Sequence, residues 1–151
     1  MRVHYLDSSA WVKRHFQETG SDRVHRLFNE TEALSGSWLG YLEVSAAIAR
    51  QAGARRISDA TRRLIEAQLD YEWSRFLQAG ATEDDFVAAV DLARKHRLRG
   101  ADALHLAIAR KLSERFKMGG DDLVFWTADE ELVEAGQKTG LLVENPLDPV
   151  G

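Results

Sequence analysis

The chain has no cysteine and only two prolines among its 151 residues. Without cysteine there are no disulfides, no thiolate nucleophile and no cysteine-ligated zinc. Both prolines, Pro146 and Pro149, lie within the last six residues, so nothing rigid interrupts the chain before them. No apolar run approaches the ~18 residues of a membrane span. The start, Met1 to Asp7, is too briefly apolar for a signal peptide. These absences make the cytoplasm the expected compartment and leave no place for a membrane partner. Basic charge is also short, with 20 Lys and Arg against 24 Asp and Glu and a net charge of −4. A general electrostatic nucleic-acid binder would carry a basic excess, so that class is disfavoured. An enzyme that gathers its acids into one site and sets bases around it stays open.

Apolar residues make up 44 % of the chain, enough for a core in one domain of this length. One domain is expected over 1–145, with an irregular tail at 146–151. Short β-prone segments at 2–6, 33–37, 123–126 and 141–143 alternate with helical patterns, and a further strand near 76–80 is masked by a helical signal. Helices are expected over 21–31, from Trp38 to Ala52, from Ser58, after Thr82 and over Ala101–Phe116. The helix after Ser58 carries Leu64, Ile65, Leu69, Trp73, Phe76 and Leu77, and the one after Thr82 carries Phe86, Val87, Val90 and Leu92. Thr82 with Asp85, and Thr127 with Glu130, read as capping boxes. The alternation predicts an α/β fold, a three-layer α/β/α sandwich with a central, mainly parallel sheet. Such sheets bind ligands beyond the carboxyl ends of their strands.

Four acids stand out in this frame. Asp7 follows the first strand, where a simple N-cap is the ordinary alternative. Asp129 lies just past the Leu123–Trp126 strand, where it would also suit a helix N-terminus. Asp102 opens the helix Asp102-Ala-Leu-His-Leu-Ala-Ile-Ala109, apolar on nearly every face and therefore buried. Glu43 sits on a helix of small and apolar residues, beside Leu39, Gly40, Ala46 and Ala47, with no base within a turn. A carboxylate there is costly unless something pairs with it. Acids brought together repel unless a cation intervenes, and hard cations such as Mg2+ or Mn2+ take oxygen ligands. No His pair stands at zinc-ligand spacing.

The segments Leu6-Asp7-Ser8-Ser9-Ala10, Glu43 in its small-residue helix, Gly100-Ala-Asp102-Ala-Leu-His-Leu-Ala107 and Phe125-Trp-Thr-Ala-Asp129-Glu-Glu-Leu132 resemble, in order, those of PIN-domain ribonucleases. The likeness is to the VapC-type toxins of bacterial type II toxin–antitoxin systems and runs from residue 3 to about 143. It implies a metal-dependent endoribonuclease with RNA as substrate, inhibited by a small VapB-like antitoxin and usually a homodimer. By position, it implies that Asp7, Glu43, Asp102 and Asp129 form the catalytic and metal site, using Mg2+ or Mn2+. Ser8 and Thr127 become candidates for supporting that site or touching substrate. Glu130 and Glu131 could add a further acid, although their helical positions favour solvent.

Among the bases, the loop Arg97-Leu-Arg99 before Asp102 is the best candidate for phosphate contact. Arg50, Arg55, Arg56, Arg62 and Arg63 read as a solvated helix face. The four tryptophans, Trp11, Trp38, Trp73 and Trp126, could stack bases, but most belong to the core. His105, one turn beyond Asp102, reads as a core histidine. Two rival readings remain. One is a catalytically inactive PIN-like module that binds RNA or protein. The other is an aspartyl-phosphate protein using Asp7, disfavoured because Ser9 stands where a phosphatase of that type has a second Asp.

Overall fold

The computed structural model describes residues 1–31 and 33–149. Strand β1 (Arg2–Leu6) lies at the centre, paired with β2 (Leu34–Ser37) on one side and β4 (Asp122–Trp126) on the other. The short strands β3 (Leu77–Ala79) and β5 (Leu142–Glu144) form the edges. The order is β3-β2-β1-β4-β5 and every pairing is parallel. The longest ladder pairs all of β1 with β4, from Arg2 opposite Asp122 to Leu6 opposite Trp126.

The period-2 geometry of these two strands builds two cores. Tyr5, Leu123 and Phe125 point to one face. There they meet α5 (Glu83–His96), α6 (Gly100–Met118) and α7 (Glu130–Lys138) through Leu92, Leu106 and Leu132. Leu6, Val124 and Trp126 point to the opposite face. Here they meet α1 (Ser8–Trp11), α2 (Ser21–Glu30), α3 (Trp38–Gly53) and α4 (Asp59–Arg75) through Trp11, Leu27, Ile48 and Trp73. Covering both faces is what a parallel sheet requires. The expected three-layer sandwich is therefore present. No described helix is long and apolar enough to cross a membrane.

Most helix starts follow from local capping. Ser37 accepts from the Gly40 amide at 3.1 Å, and Ser58 from Thr61 at 3.1 Å. Thr82 and Asp85 form the expected reciprocal box. The second expected box does not form. The cap of α7 is Asp129, whose carboxylate accepts from the Leu132 amide. Thr127 is fully buried at the end of β4, and its hydroxyl accepts from the Asp129 amide instead. The masked strand near 76–80 is β3, and the turn before Gly100 is made by Arg97 in the left-handed region (φ 55°). The apolar residues of α4 and α5 divide. Leu69, Trp73 and Leu92 are buried, whereas Leu64, Phe86, Val87 and Val90 face outward.

The tail is irregular, as expected, yet docked through the residues described. Arg23 donates to the carbonyls of Asn145 (2.6 Å) and Asp148 (3.3 Å). Gly20, at φ 92°, packs against Pro146, where an added Cβ would stand 2.8 Å from the carbonyl oxygen. Residues 150 and 151 of that tail lie outside the described residues.

Candidate metal centre

The chain runs from β1 to β2 and β3 on one side of the sheet, then returns to β4 and β5 on the other. The switch point is thus between the carboxyl ends of β1 and β4, where open α/β sheets form crevices. Asp7 and Asp129 follow those two ends.

Asp7 is only 2 % exposed. Its amide donates to the Trp126 carbonyl (3.0 Å), which extends the ladder by one residue. Its carboxylate caps α1, accepting from the Ala10 amide (2.9 Å) and the Ser9 hydroxyl (2.7 Å). Burial pushes the Asp7 carboxyl above the usual range, opposed by nearby His105 and by hydrogen bonds from Thr127, Ser9 and Ala10. Ser9 ties the two strand ends together. Its hydroxyl lies 3.3 Å from that of Thr127 and accepts from the Ala128 amide at 2.9 Å.

Asp102 lies in the first turn of α6, whose N-cap residue is Arg99. The Arg99 guanidinium donates to Asp102 (3.3 Å) and to Asp129 (3.2 Å), while remaining 81 % exposed. Burial raises the Asp102 carboxyl, the charge of Asp129 raises it further, and Arg99 opposes both. Glu43, on α3, meets His105 of α6, whose Nε2 lies 2.6 Å from a carboxylate oxygen. The other ring nitrogen of His105 lies 2.9 Å from the Tyr5 hydroxyl, beneath the sheet's centre. An open groove of about 380 Å³ runs alongside, lined by Ser8, Ser9, Glu43, Ala46, Ala47 and Arg50.

Of the four sequence-predicted acids, Asp7 and Asp129 are connected through Ser9 and Thr127, and Asp102 and Asp129 through Arg99; Glu43 stands apart from this chain of contacts, bonded to His105. As placed, no three His, Asp or Glu side chains among the described residues stand close enough to hold a metal ion. Each acid has a protein partner: two cap helices, two share an arginine and one meets a histidine. The donors nevertheless fit a hard cation in kind, since all four are carboxylates. They fit it in charge as well: a guanidinium already stands between Asp102 and Asp129, in the manner of a stand-in ion.

The supporting residues need revision. Ser9, rather than Ser8, bonds Asp7, and Ser8 faces the groove. The Thr127 hydroxyl accepts from the Asp129 amide and lies 3.3 Å from that of Ser9. Arg97 does not reach it. It terminates α5 and lies beside Lys95, His96 and Glu131. Glu130 and Glu131 are exposed. Arg62 pairs with Asp59 and Glu66 along its own helix, as a solvated face would. Of the tryptophans only Trp38 is open to solvent, at 54 %. The connection from His105 to Glu43 was missed. Its signal was the unpaired carboxylate on one apolar helix and the lone histidine on another.

The molecule is therefore an open-sheet α/β protein with acids placed at the carboxyl ends of the two strands that flank its switch point. Comparison with known proteins narrows that class. The model of the PIN domain matches residues 4–138, and the chain belongs to this family. It is 40 % identical over 111 residues to Ribonuclease VapC45 of Mycobacterium tuberculosis, covering 72 % of this chain and 76 % of that protein. The fold is similar to M. tuberculosis VapC20, described as a Sarcin-Ricin loop cleaving toxin. That match has a TM-score of 0.64 at 15 % identity and covers 92 % of this chain and 96 % of VapC20. It is similar also to a toxin–antitoxin complex from Klebsiella pneumoniae. Here the TM-score is 0.62 at 16 % identity, with 95 % of this chain and 97 % of that one covered.

Proposed function

We propose that this PIN-domain protein is a metal-dependent endoribonuclease and the toxin of a toxin–antitoxin pair. What supports the reading is the linked set Asp7, Asp129 and Asp102 at the switch point of a chain in this family, with Glu43 held by His105 one turn beyond Asp102. The relationship to a ribonuclease VapC supports RNA as substrate, and the likeness to a toxin–antitoxin complex supports a small protein antitoxin as partner. We assign the site to Mg2+ or Mn2+, because it offers carboxylate oxygens and neither sulfur nor paired imidazoles. The protein works in the cytoplasm, where its RNA lies, as a homodimer; sedimentation of the purified chain checks the dimer.

A divalent ion bound here would polarise the phosphodiester and lower the pKa of a water molecule. The chain's own residues do the rest. Asp7, Asp102 and Asp129 would hold the ion, with Asp7 fixed in place by Ser9 and Ala10 and Asp129 by its bond to Leu132. Glu43 would help hold it or orient the attacking water. Arg99, which here donates to Asp102 and Asp129, would be the base nearest the site to take a phosphate oxygen. Ser8 and Arg50 line the groove along which RNA would pass. Attack by water leaves a 5′-phosphate and a 3′-hydroxyl.

The test uses purified chain and mixed RNA, with Mg2+ or Mn2+ against EDTA. Cleavage should appear with metal, vanish with EDTA, and be lost in a folded Asp7→Asn variant. Wild-type cleavage by that variant would defeat the site assignment. One observation favours the second reading, an inactive binding module: every acid already has a protein partner. RNA bound but uncut in either metal, by antitoxin-free protein, would establish it.

A further inference from the structure

Tyr5, His105 and Glu43 form a chain of polar contacts running outward from the core. Tyr5 is fully buried and His105 is 1 % exposed. The two rings meet edge to face, 6.0 Å apart. The Tyr5 hydroxyl lies 2.9 Å from Nδ1 of His105, and Nε2 lies 2.6 Å from Glu43 Oε1. Burial holds the tyrosine in its phenol form, so its O–H has a proton to donate. Donated to Nδ1, that proton leaves Nε2 carrying the ring hydrogen and aims it at the carboxylate. The other neutral tautomer would set a lone pair of Nε2 against the carboxylate oxygen.

The surroundings are shaped for this ring. Gly40 lies one turn before Glu43 on α3. A Cβ there would stand 3.3 Å from His105 Cε1 and 3.3 Å from Trp11 Cζ3. The absent side chain is the space that lets α6 bring its histidine up to α3. Glu43 itself is a flexible side chain on an apolar helix face, and this contact fixes one of its two oxygens.

We propose that His105, set in one tautomer by Tyr5, is the positioning residue for Glu43. It pins one carboxylate oxygen and leaves the other for the metal or its water. The proposal rests on the reading of Glu43 as a site carboxylate. A histidine that merely satisfies its own hydrogen bonds would have no effect on metal affinity.

The experiment measures Mn2+ affinity of the full chain without RNA, by electron paramagnetic resonance, alongside RNA-cleavage kinetics. At a fixed pH, 15N NMR of His105 reads the tautomer. His105→Leu should weaken Mn2+ binding and lower kcat by about 10–100-fold, the usual loss when a ligand's orienting partner is removed, with KM little changed. His105→Gln, which keeps an N–H donor, should recover most of both. Tyr5→Phe should dilute the Nε2–H signature and weaken Mn2+ binding to an intermediate degree. On a Glu43→Gln background, His105→Leu should add nothing. A folded His105→Leu protein with wild-type Mn2+ affinity and kcat overturns the proposal. If that variant does not fold, Tyr5→Phe decides, and an unchanged tautomer and affinity overturn it equally. Loss in Glu43→Gln without loss in His105→Leu defeats the positioning alone. Wild-type behaviour in Glu43→Gln defeats the assignment of Glu43 itself.

Discussion

At the scale of the residue, Arg97 and Arg99 lie two positions apart and have different surroundings. Both stand in the turn before Asp102, and composition gives no reason to prefer one. Backbone geometry decides. Arg97 is spent terminating α5 at positive φ, while Arg99 caps α6 with its side chain turned towards Asp102 and Asp129. Exposed ion pairs add little net stability, so Arg99→Ala should leave thermal stability nearly unchanged. Its loss should appear in RNA binding instead. Each phosphate contact removed reduces the slope of log affinity against log salt by roughly one. A salt titration should show that reduction for Arg99→Ala and none for Arg97→Ala. The pairing of Glu43 with His105 was half legible: each side chain stood out on its own helix, but their meeting did not. The two are 62 residues apart, and only the packing of α3 on α6 brings them together.

His15 offers a second test at this scale, away from the site. Burial, aided by the Arg14 charge, lowers its pKa from 6.5 to about 4. The unfolded chain therefore binds a proton that the folded protein resists. Stability from this group is complete above pH 6.5 and is lost as pH falls towards 4. Urea melts at pH 7 and pH 4.5 should show the loss, and it should be smaller in His15→Asn. An unchanged pH dependence in that variant would assign the acid lability to other groups.

At the scale of the element, helix starts were legible wherever the capping side chain was free to cap. Thr82 is exposed and does cap. Thr127 carries an equally good pattern, but it ends a buried strand, and its hydroxyl is engaged by Ser9 and the Asp129 amide. Helix α7 consequently begins two residues later, on a carboxylate that also belongs to the site. Asp129 thus has two duties that can be separated. Asn caps about as well as Asp, so Asp129→Asn should melt with the wild type while losing metal-dependent cleavage. Asp129→Ala should lose both, with a stability cost of about 1 kcal/mol. An active Asp129→Asn would reduce the residue to a cap. The packing of α7 on β5 depends on Gly136, where an added Cβ would lie 2.8 Å from Val143 Cγ2. Gly136→Ala should cost about 1–3 kcal/mol in denaturant melts, as overpacking of a close contact usually does.

At the scale of the whole molecule, strand and helix alternation made the fold class legible, because short apolar strands between helices leave few arrangements besides a parallel sheet. The strand order was not legible, since neither edge strand exceeds three residues and β3 lies inside a helical pattern. That order is what sets the strands before Asp7 and Asp129 side by side, and it explains why these acids, distant in sequence, follow neighbouring strand ends. Gathering carboxylates this way costs the metal-free fold: Asp102 and Asp129 repel, and the exposed Arg99 offsets only part of that. A bound divalent ion should therefore stabilise the protein markedly. At a hundred times its dissociation constant, any ligand specific to the folded state adds about 2.7 kcal/mol. For a domain of this size that is a rise in Tm of roughly 5–10 °C. Scanning calorimetry with and without Mn2+ should show this rise in the wild type and lose most of it in Asp102→Asn. An equal rise in both would mean that the ion binds elsewhere on the surface and that Asp102 does not hold it.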